Sequence, residues 1–142
     1  MIVQEVILDT DVLSEVLKGQ NPNVEKYKND YASQYPKLSI TSASVMEILT
    51  GYRKRGATAQ RQRAASLFSQ NNEIVPDAED YRLAADIIGD LLVKGLVIGM
   101  IDPLIAACAI RRGLGVASGN TKHLEFIRQS GYNFHLENWR NP

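Results

Sequence analysis

Three carboxylates occupy positions from which they could act together. Asp9 directly follows the apolar run Val6-Ile7-Leu8, Glu47 lies six residues beyond Thr41 at the end of Leu38-Ser39-Ile40-Thr41, and Asp102 precedes Pro103 and a long apolar stretch. If the two short runs are strands, and Asp102 opens a helix beside them, all three acids reach one rim of one sheet. Crowding like charges there raises their pKa values unless a cation sits between them. All-oxygen donors select magnesium or manganese over zinc. His123 and His135 are the only histidines, and neither has ligand spacing with the lone cysteine, Cys108. Such a site could lower the pKa of a bound water and neutralise charge growing on a phosphoryl oxygen, which is what phosphodiester hydrolysis needs.

Each acid also has a local explanation. Asp9, with Asp11 two places on, suits a helix N-cap. Ser44-Val45-Met46-Glu47 fits a capping box, although a cap at Ser42 would leave Glu47 on the second turn and free. Asp102 before Pro103 reads as an N-cap with proline at the first helical position. The cap and ligand roles are compatible, because a capping carboxylate keeps a second oxygen.

The elements that must position these residues follow from pattern and punctuation. Strands are expected at 6–8 (with Ile2 as a candidate start), 38–41, 73–75, 116–118 and 133–136. Helices are expected at 11–18, stopped by Gly19, at 22–35 from Pro22, at 43–54, 57–69 and 78–93, from Asp102 to near Gly113, and at 122–129. Strands alternating with helices predict an α/β fold with a mostly parallel sheet covered on both faces. Ligands in such sheets lie beyond the carboxyl ends of the strands, where the acids stand.

The chain has 142 residues, 44% of them apolar and 23% charged, which suits one globular domain over 1–142. Sixteen basic and sixteen acidic residues cancel, so affinity for a polyanion has to come from a local patch or from bound metal. Cys108, inside Leu104-Ile105-Ala106-Ala107-Cys108-Ala109-Ile110, reads as a small buried hydrophobe. One cysteine allows no internal disulfide, which suits a reducing, cytoplasmic setting. Met1-Ile2-Val3-Gln4-Glu5 lacks the basic region of a secretory signal, and Lys94, Gly95, Gly99, Asp102 and Pro103 break the longest apolar region, so no membrane span is expected.

Five segments in order carry a family resemblance: Leu8-Asp9-Thr10-Asp11-Val12-Leu13-Ser14-Glu15, then 40–51 with Glu47, 98–108 with Asp102, Ala117-Ser118-Gly119-Asn120-Thr121-Lys122-His123-Leu124, and Leu136-Glu137-Asn138-Trp139. Together they resemble the PIN-domain nucleases, and within them the VapC toxins of bacterial toxin–antitoxin pairs. The resemblance implies a PIN-like α/β/α sandwich and a Mg2+- or Mn2+-dependent endoribonuclease. It makes Asp9, Glu47 and Asp102 the acidic core, with Asp9 and Asp102 as metal ligands. It further implies RNA as substrate, transfer RNA being the common target, a VapB-like antitoxin as partner, and a homodimer. Two positions depart from the family pattern. Asp11 stands where asparagine is usual, and Asn120 occupies the candidate place of a fourth acid, with Glu125 the next acid along. Thr10, Asp11, Asn120 and Glu125 are therefore candidate site-lining residues, and the number of metals stays open.

Arg53, Lys54, Arg55, Arg61 and Arg63 form the densest basic stretch. It reads either as a solvated helical face or as a track for an RNA backbone or an antitoxin. His123 and Trp139 read as surface and packing residues. Two rivals stand beside the nuclease. Asp9-Thr10-Asp11-Val12-Leu13 also looks like the opening of a haloacid dehalogenase-type phosphotransferase, with Asp9 as nucleophile and Asp11 as acid/base, but Ser118-Gly119-Asn120 lacks that family's later acidic pair. A non-catalytic PIN module that only binds RNA or protein is the other.

Overall fold

A computed structural model describes residues 3–142. The strand before Asp9, β1 (Val6–Leu8), is wholly buried; Ile2, its candidate start, lies outside the described residues. An apolar run with no polar alternation marks a strand covered on both faces. Here Val6 and Leu8 pack into one core and Ile7 into the other. The other strands are β2 (Ser39–Thr41), β3 (Asn72–Ile74), β4 (Gly115–Ser118) and β5 (Leu136–Asn138). They form one sheet in the order β3-β2-β1-β4-β5, and every pairing is parallel.

The helices are α1 (Thr10–Lys18), α2 (Pro22–Ala32), α3 (Ser42–Arg55), α4 (Thr58–Gln70), α5 (Ala78–Val93), α6 (Ile101–Arg112) and α7 (Lys122–Gln129). Residues of α1 to α4, including Val12, Leu13, Tyr31, Ile48 and Phe68, close one side of the sheet with Trp139. Residues of α5 to α7, including Ile87, Leu91, Ile105, Leu124 and Ile127, close the other. The result is the expected α/β/α sandwich with a parallel central sheet. Each fully buried Leu or Ile in these layers contributes roughly 1.5–3 kcal/mol.

The chain lays β2 and β3 to one side of β1 and then returns to lay β4 and β5 on the other. That reversal between β1 and β4 is a topological switch point, which opens a crevice at the carboxyl ends of the two strands. The register there is tight: Val6, Ile7 and Leu8 face Gly115, Val116 and Ala117. The ladder runs one step past β1, with the Asp9 amide donating to the Ala117 carbonyl at 2.9 Å.

Some boundaries differ from expectation. Helix α2 ends at Ala32 instead of reaching 35. Pro36 disfavours a helical Tyr35, and the Tyr35 ring stacks on Tyr31 with centroids 4.8 Å apart. The last strand is Leu136–Asn138 and not 133–136. Pairing with β4 sets it, aligning Val116 with Leu136 and Ser118 with Asn138, while Phe134 instead plugs the core. No helix among the described residues is long and apolar enough to cross a membrane.

Candidate active site

Asp9 reaches the switch point because β1 ends on it. Its φ of −75° and ψ of 175° are extended, and one carboxylate oxygen accepts the Val12 amide at 2.9 Å, so it is the N-cap of α1. Gly19, with φ 65°, closes the other end of that helix. Asp9 is 4% exposed. The Ser118 hydroxyl, fully buried at the end of β4, also donates to its carboxylate. Burial is the main force on its titration, with Asp11 and Asp102 adding repulsion. Together they outweigh the hydrogen bonds and push its pKa up to about 7.

Asp102 arrives from α6. The cap of that helix is Met100, two residues before the expected Asp102, so Asp102 lies in the first turn and is not the N-cap. Pro103 is tolerated there because the first-turn amides have no intrahelical acceptor in any case. Burial raises the Asp102 pKa, His123 opposes the rise, and the Glu47 and Asp11 charges add to it. Helix N-termini favour negative charge, which partly offsets the crowding of Asp9 and Asp102.

Glu47 projects from the second turn of α3. The cap of that helix is Thr41, whose hydroxyl accepts the Ser44 amide at 3.2 Å, so no Ser44–Glu47 capping box forms. The freed Glu47 carboxylate is exposed and accepts a hydrogen bond from the Thr10 hydroxyl, which also lies 3.0 Å from the Ser44 hydroxyl. Thr10 therefore ties α1 to α3 within one helical layer. Asp11 is exposed in the first turn of α1 and adds negative charge toward both Asp9 and Asp102.

The structure thus gathers Asp9, Thr10, Asp11, Glu47 and Asp102 at one rim. Asn120 borders this group, its amide donating at 3.0 Å to the Ser118 hydroxyl that also bonds Asp9, and Glu125 lies in the first turn of α7. Asn120 is exposed and receives the Lys122 amide at 3.4 Å, while Glu125 pairs with Arg128 at 3.3 Å beside a surface hollow that also includes Tyr132. Among the described residues, neither is hydrogen-bonded to the three core acids, and no group of three or more His, Cys, Asp or Glu side chains is arranged to hold a metal ion.

Two neighbours escaped the sequence reading. Ser118 carried no signal beyond its place at a strand end. His123, read as a surface residue, sits with Nδ1 3.1 Å from Asp102 Oδ2. The usable signal was its position in the first turn of the helix after β4, on the same rim. Trp139 packs as expected: it is 1% exposed and stacks on Tyr27 at 5.9 Å.

A parallel sheet with acids clustered at its switch point is one of the forms taken by metal-dependent phosphoryl chemistry. The model of the PIN domain family matches residues 6–128, and the chain belongs to that family. The match leaves no room for the haloacid dehalogenase reading. Its fold is VapC-like. A chain of VapBC2 from Rickettsia felis, bound to a DNA fragment from its promoter, superposes with a TM-score of 0.79 at 25% identity, covering 94% of this chain and 98% of that one. A chain of DNA-bound VapBC from Salmonella typhimurium gives 0.75 at 23% identity, covering 96% and 99%. VapC20 of Mycobacterium tuberculosis, a toxin that cleaves the sarcin-ricin loop, gives 0.63 at 13% identity, covering 90% and 96%. No curated protein matches the sequence significantly.

Proposed function

We propose that this chain, as one domain over its whole length, is a VapC-type endoribonuclease toxin that hydrolyses RNA phosphodiester bonds with Mg2+ or Mn2+ and is silenced by a VapB-like antitoxin. One observation carries the reading: Asp9 and Asp102 are drawn together with Glu47 and Asp11 at the switch point, both with raised pKa values, and no lysine or arginine pairs with any of the four among the described residues. No three of these side chains form a ready ligand set among the described residues, but Asp9 and Asp102, with water completing the shell, suit a hard divalent cation, which takes oxygen donors and removes the repulsion.

Asp9 and Asp102 would hold the ion, and Glu47, with one oxygen on Thr10 and no partner for the other among the described residues, would accept the proton of an attacking water. The bound ion would supply charge neutralisation at the phosphoryl oxygens and lower the pKa of that water. Ser118 and the Val12 amide fix Asp9, so the site is built on a strand end and a helix terminus and not on a mobile loop.

Arg53 lies six residues beyond Glu47 on α3, or ~9 Å along the helix axis. With Lys54 it lines one surface hollow, Arg55 and Arg63 line another with Lys18, and these exposed basic side chains together with Arg61 suit contacts to an RNA backbone. Transfer RNA is the target the family resemblance favours, and the cytoplasm is where such a substrate would be met. The neighbouring VapBC complexes support an antitoxin partner. A homodimer is supported by an apolar face: Met46, Val75, Tyr81 and Met100 are each more than half exposed and surround a hollow of about 450 Å³.

The test is a cleavage assay on total RNA with Mg2+, with Mn2+ and with EDTA, with cut ends mapped. Cutting should require the metal, and Asp9→Asn or Asp102→Asn should lower it more than about 100-fold in folded protein. Asparagine still caps α1, so loss of activity will not reflect loss of the helix. Full activity in both variants would refute the assignment. Expression of the chain alone should slow growth, and co-expression with the small protein encoded beside it should restore growth and yield a stable complex. Metal uptake without RNA cleavage would instead favour a PIN module that only binds.

A further inference from the structure

Among the four acids at the switch point, Asp102 is the one held by a nitrogen donor from a side chain. His123 Nδ1 lies 3.1 Å from its Oδ2. Asp9 is held by a backbone amide and the Ser118 hydroxyl, and Glu47 by the Thr10 hydroxyl. With Asp102 ionised, as a bound cation would hold it, the carboxylate can only accept and Nδ1 is the donor in this pair. The imidazole is delivered by a rigid element: Leu124 and Ile127, on the same helix, are fully buried in the core. The ring itself is partly exposed, and Nε2 has no protein partner among the described residues. Nothing in the packing of the core requires a histidine here. What the ring does is bind one oxygen of a half-buried carboxylate that faces other carboxylates.

The geometry points to His123 as a positioning residue for the metal centre: its Nδ1–H holds Asp102 Oδ2 and thereby leaves Oδ1 as the oxygen offered to the cation. The assignment rests on the reading of Asp9 and Asp102 as metal ligands. Groups that orient a ligand from behind typically change metal affinity by ~10–100-fold when removed.

The experiment is titration of the full-length protein with Mn2+ by calorimetry, comparing wild type, His123→Ala and His123→Asn. Asparagine presents an N–H close to the place of Nδ1 but no ring. Alanine should weaken Mn2+ binding by about tenfold or more, and asparagine should restore most of it. Circular dichroism and urea melts in EDTA should be the same for all three, since the ring buries little surface. At saturating Mn2+ the KM for RNA should be unchanged by the alanine variant. Equal Mn2+ affinity in wild type and the alanine variant overturns the proposal. Failure of asparagine to restore binding also overturns it, by assigning the ring itself as a ligand. So does a raised KM with unchanged Mn2+ affinity, which would make His123 a substrate contact. Wild-type protein that takes up no Mn2+ sinks the metal-centre reading first and this proposal with it.

Discussion

Two buried aspartates at helix N-termini have opposite fates in this molecule. Asp80, in the first turn of α5, is 0% exposed and is the N3 partner of Asp77 in a reciprocal capping box. Arg112 contacts both of its oxygens, at 2.8 and 2.9 Å, and Arg111 adds a third contact at 2.9 Å. Those hydrogen bonds, Arg112 foremost, hold its pKa well below the usual carboxylate range despite burial. Asp9 is nearly as buried, but no cation among the described residues offsets that burial, and with Asp11 and Asp102 adding repulsion its pKa rises to about 7. Burial alone does not decide what a carboxylate is for. Where the fold supplies cations, the acid is a staple between α5 and α6. Where it withholds them and adds like charge, the acid keeps its proton to higher pH.

The largest effect that would break this comparison is on stability. Asp80→Ala removes the shared partner of two arginines and should cost roughly 3 kcal/mol, read as a lowered urea midpoint, while cleavage per folded molecule stays at the wild-type level. A marked loss of specific activity would mean that the α5–α6 staple also shapes the site.

The second effect is a pH dependence of opposite sign at the two places. Native Asp9 retains its proton up to about pH 7, whereas the unfolded chain gives it up near pH 4. Metal-free protein should therefore lose stability as pH rises from about 4 to about 7, by as much as ~4 kcal/mol. Asp80 works the other way. Its contribution is present above the ordinary carboxylate pKa and is lost as pH falls through its lowered native value. Urea melts in EDTA across this range should show the neutral-side loss in wild type and little of it in Asp9→Asn. Saturating Mn2+ should reverse the loss by binding the deprotonated site. A flat profile in EDTA would show that Asp9 is not held protonated.

The smallest effect sharpens the picture. Asp11 is exposed and raises both Asp9 and Asp102 through charge alone. Asp11→Asn should move the midpoint of that pH transition to lower pH, with cleavage changed only a few-fold. An unchanged midpoint would remove Asp11 from the electrostatics of the site and leave it a first-turn helix residue.

Much of the fold was legible because its signals are local. The extents of α5 and α7 follow from spacing and punctuation, Gly19 stops α1, and the unbroken apolar run of β1 reports burial on both faces. The placement of Asp9 and Glu47 was legible too, since each follows from where a strand ends. Asp102 was legible as a helix-start acid, but its place in α6 differs from expectation by two residues, because proline is acceptable at more than one position of a first turn. The end strand was misplaced because its register belongs to β4 and not to its own residues.

The sequence by itself determined which short stretches become strands and helices, and hence that acids would emerge at strand ends, because those choices depend on neighbours a few residues away. Only the tertiary structure decided which charges meet. It brought Arg111 and Arg112 to Asp80 across 31 and 32 residues, and His123 to Asp102 across 21. It also brought Thr10 to Glu47 across 37. Those pairings depend on sheet order and helix packing, and charge interactions act through space without regard to separation along the chain.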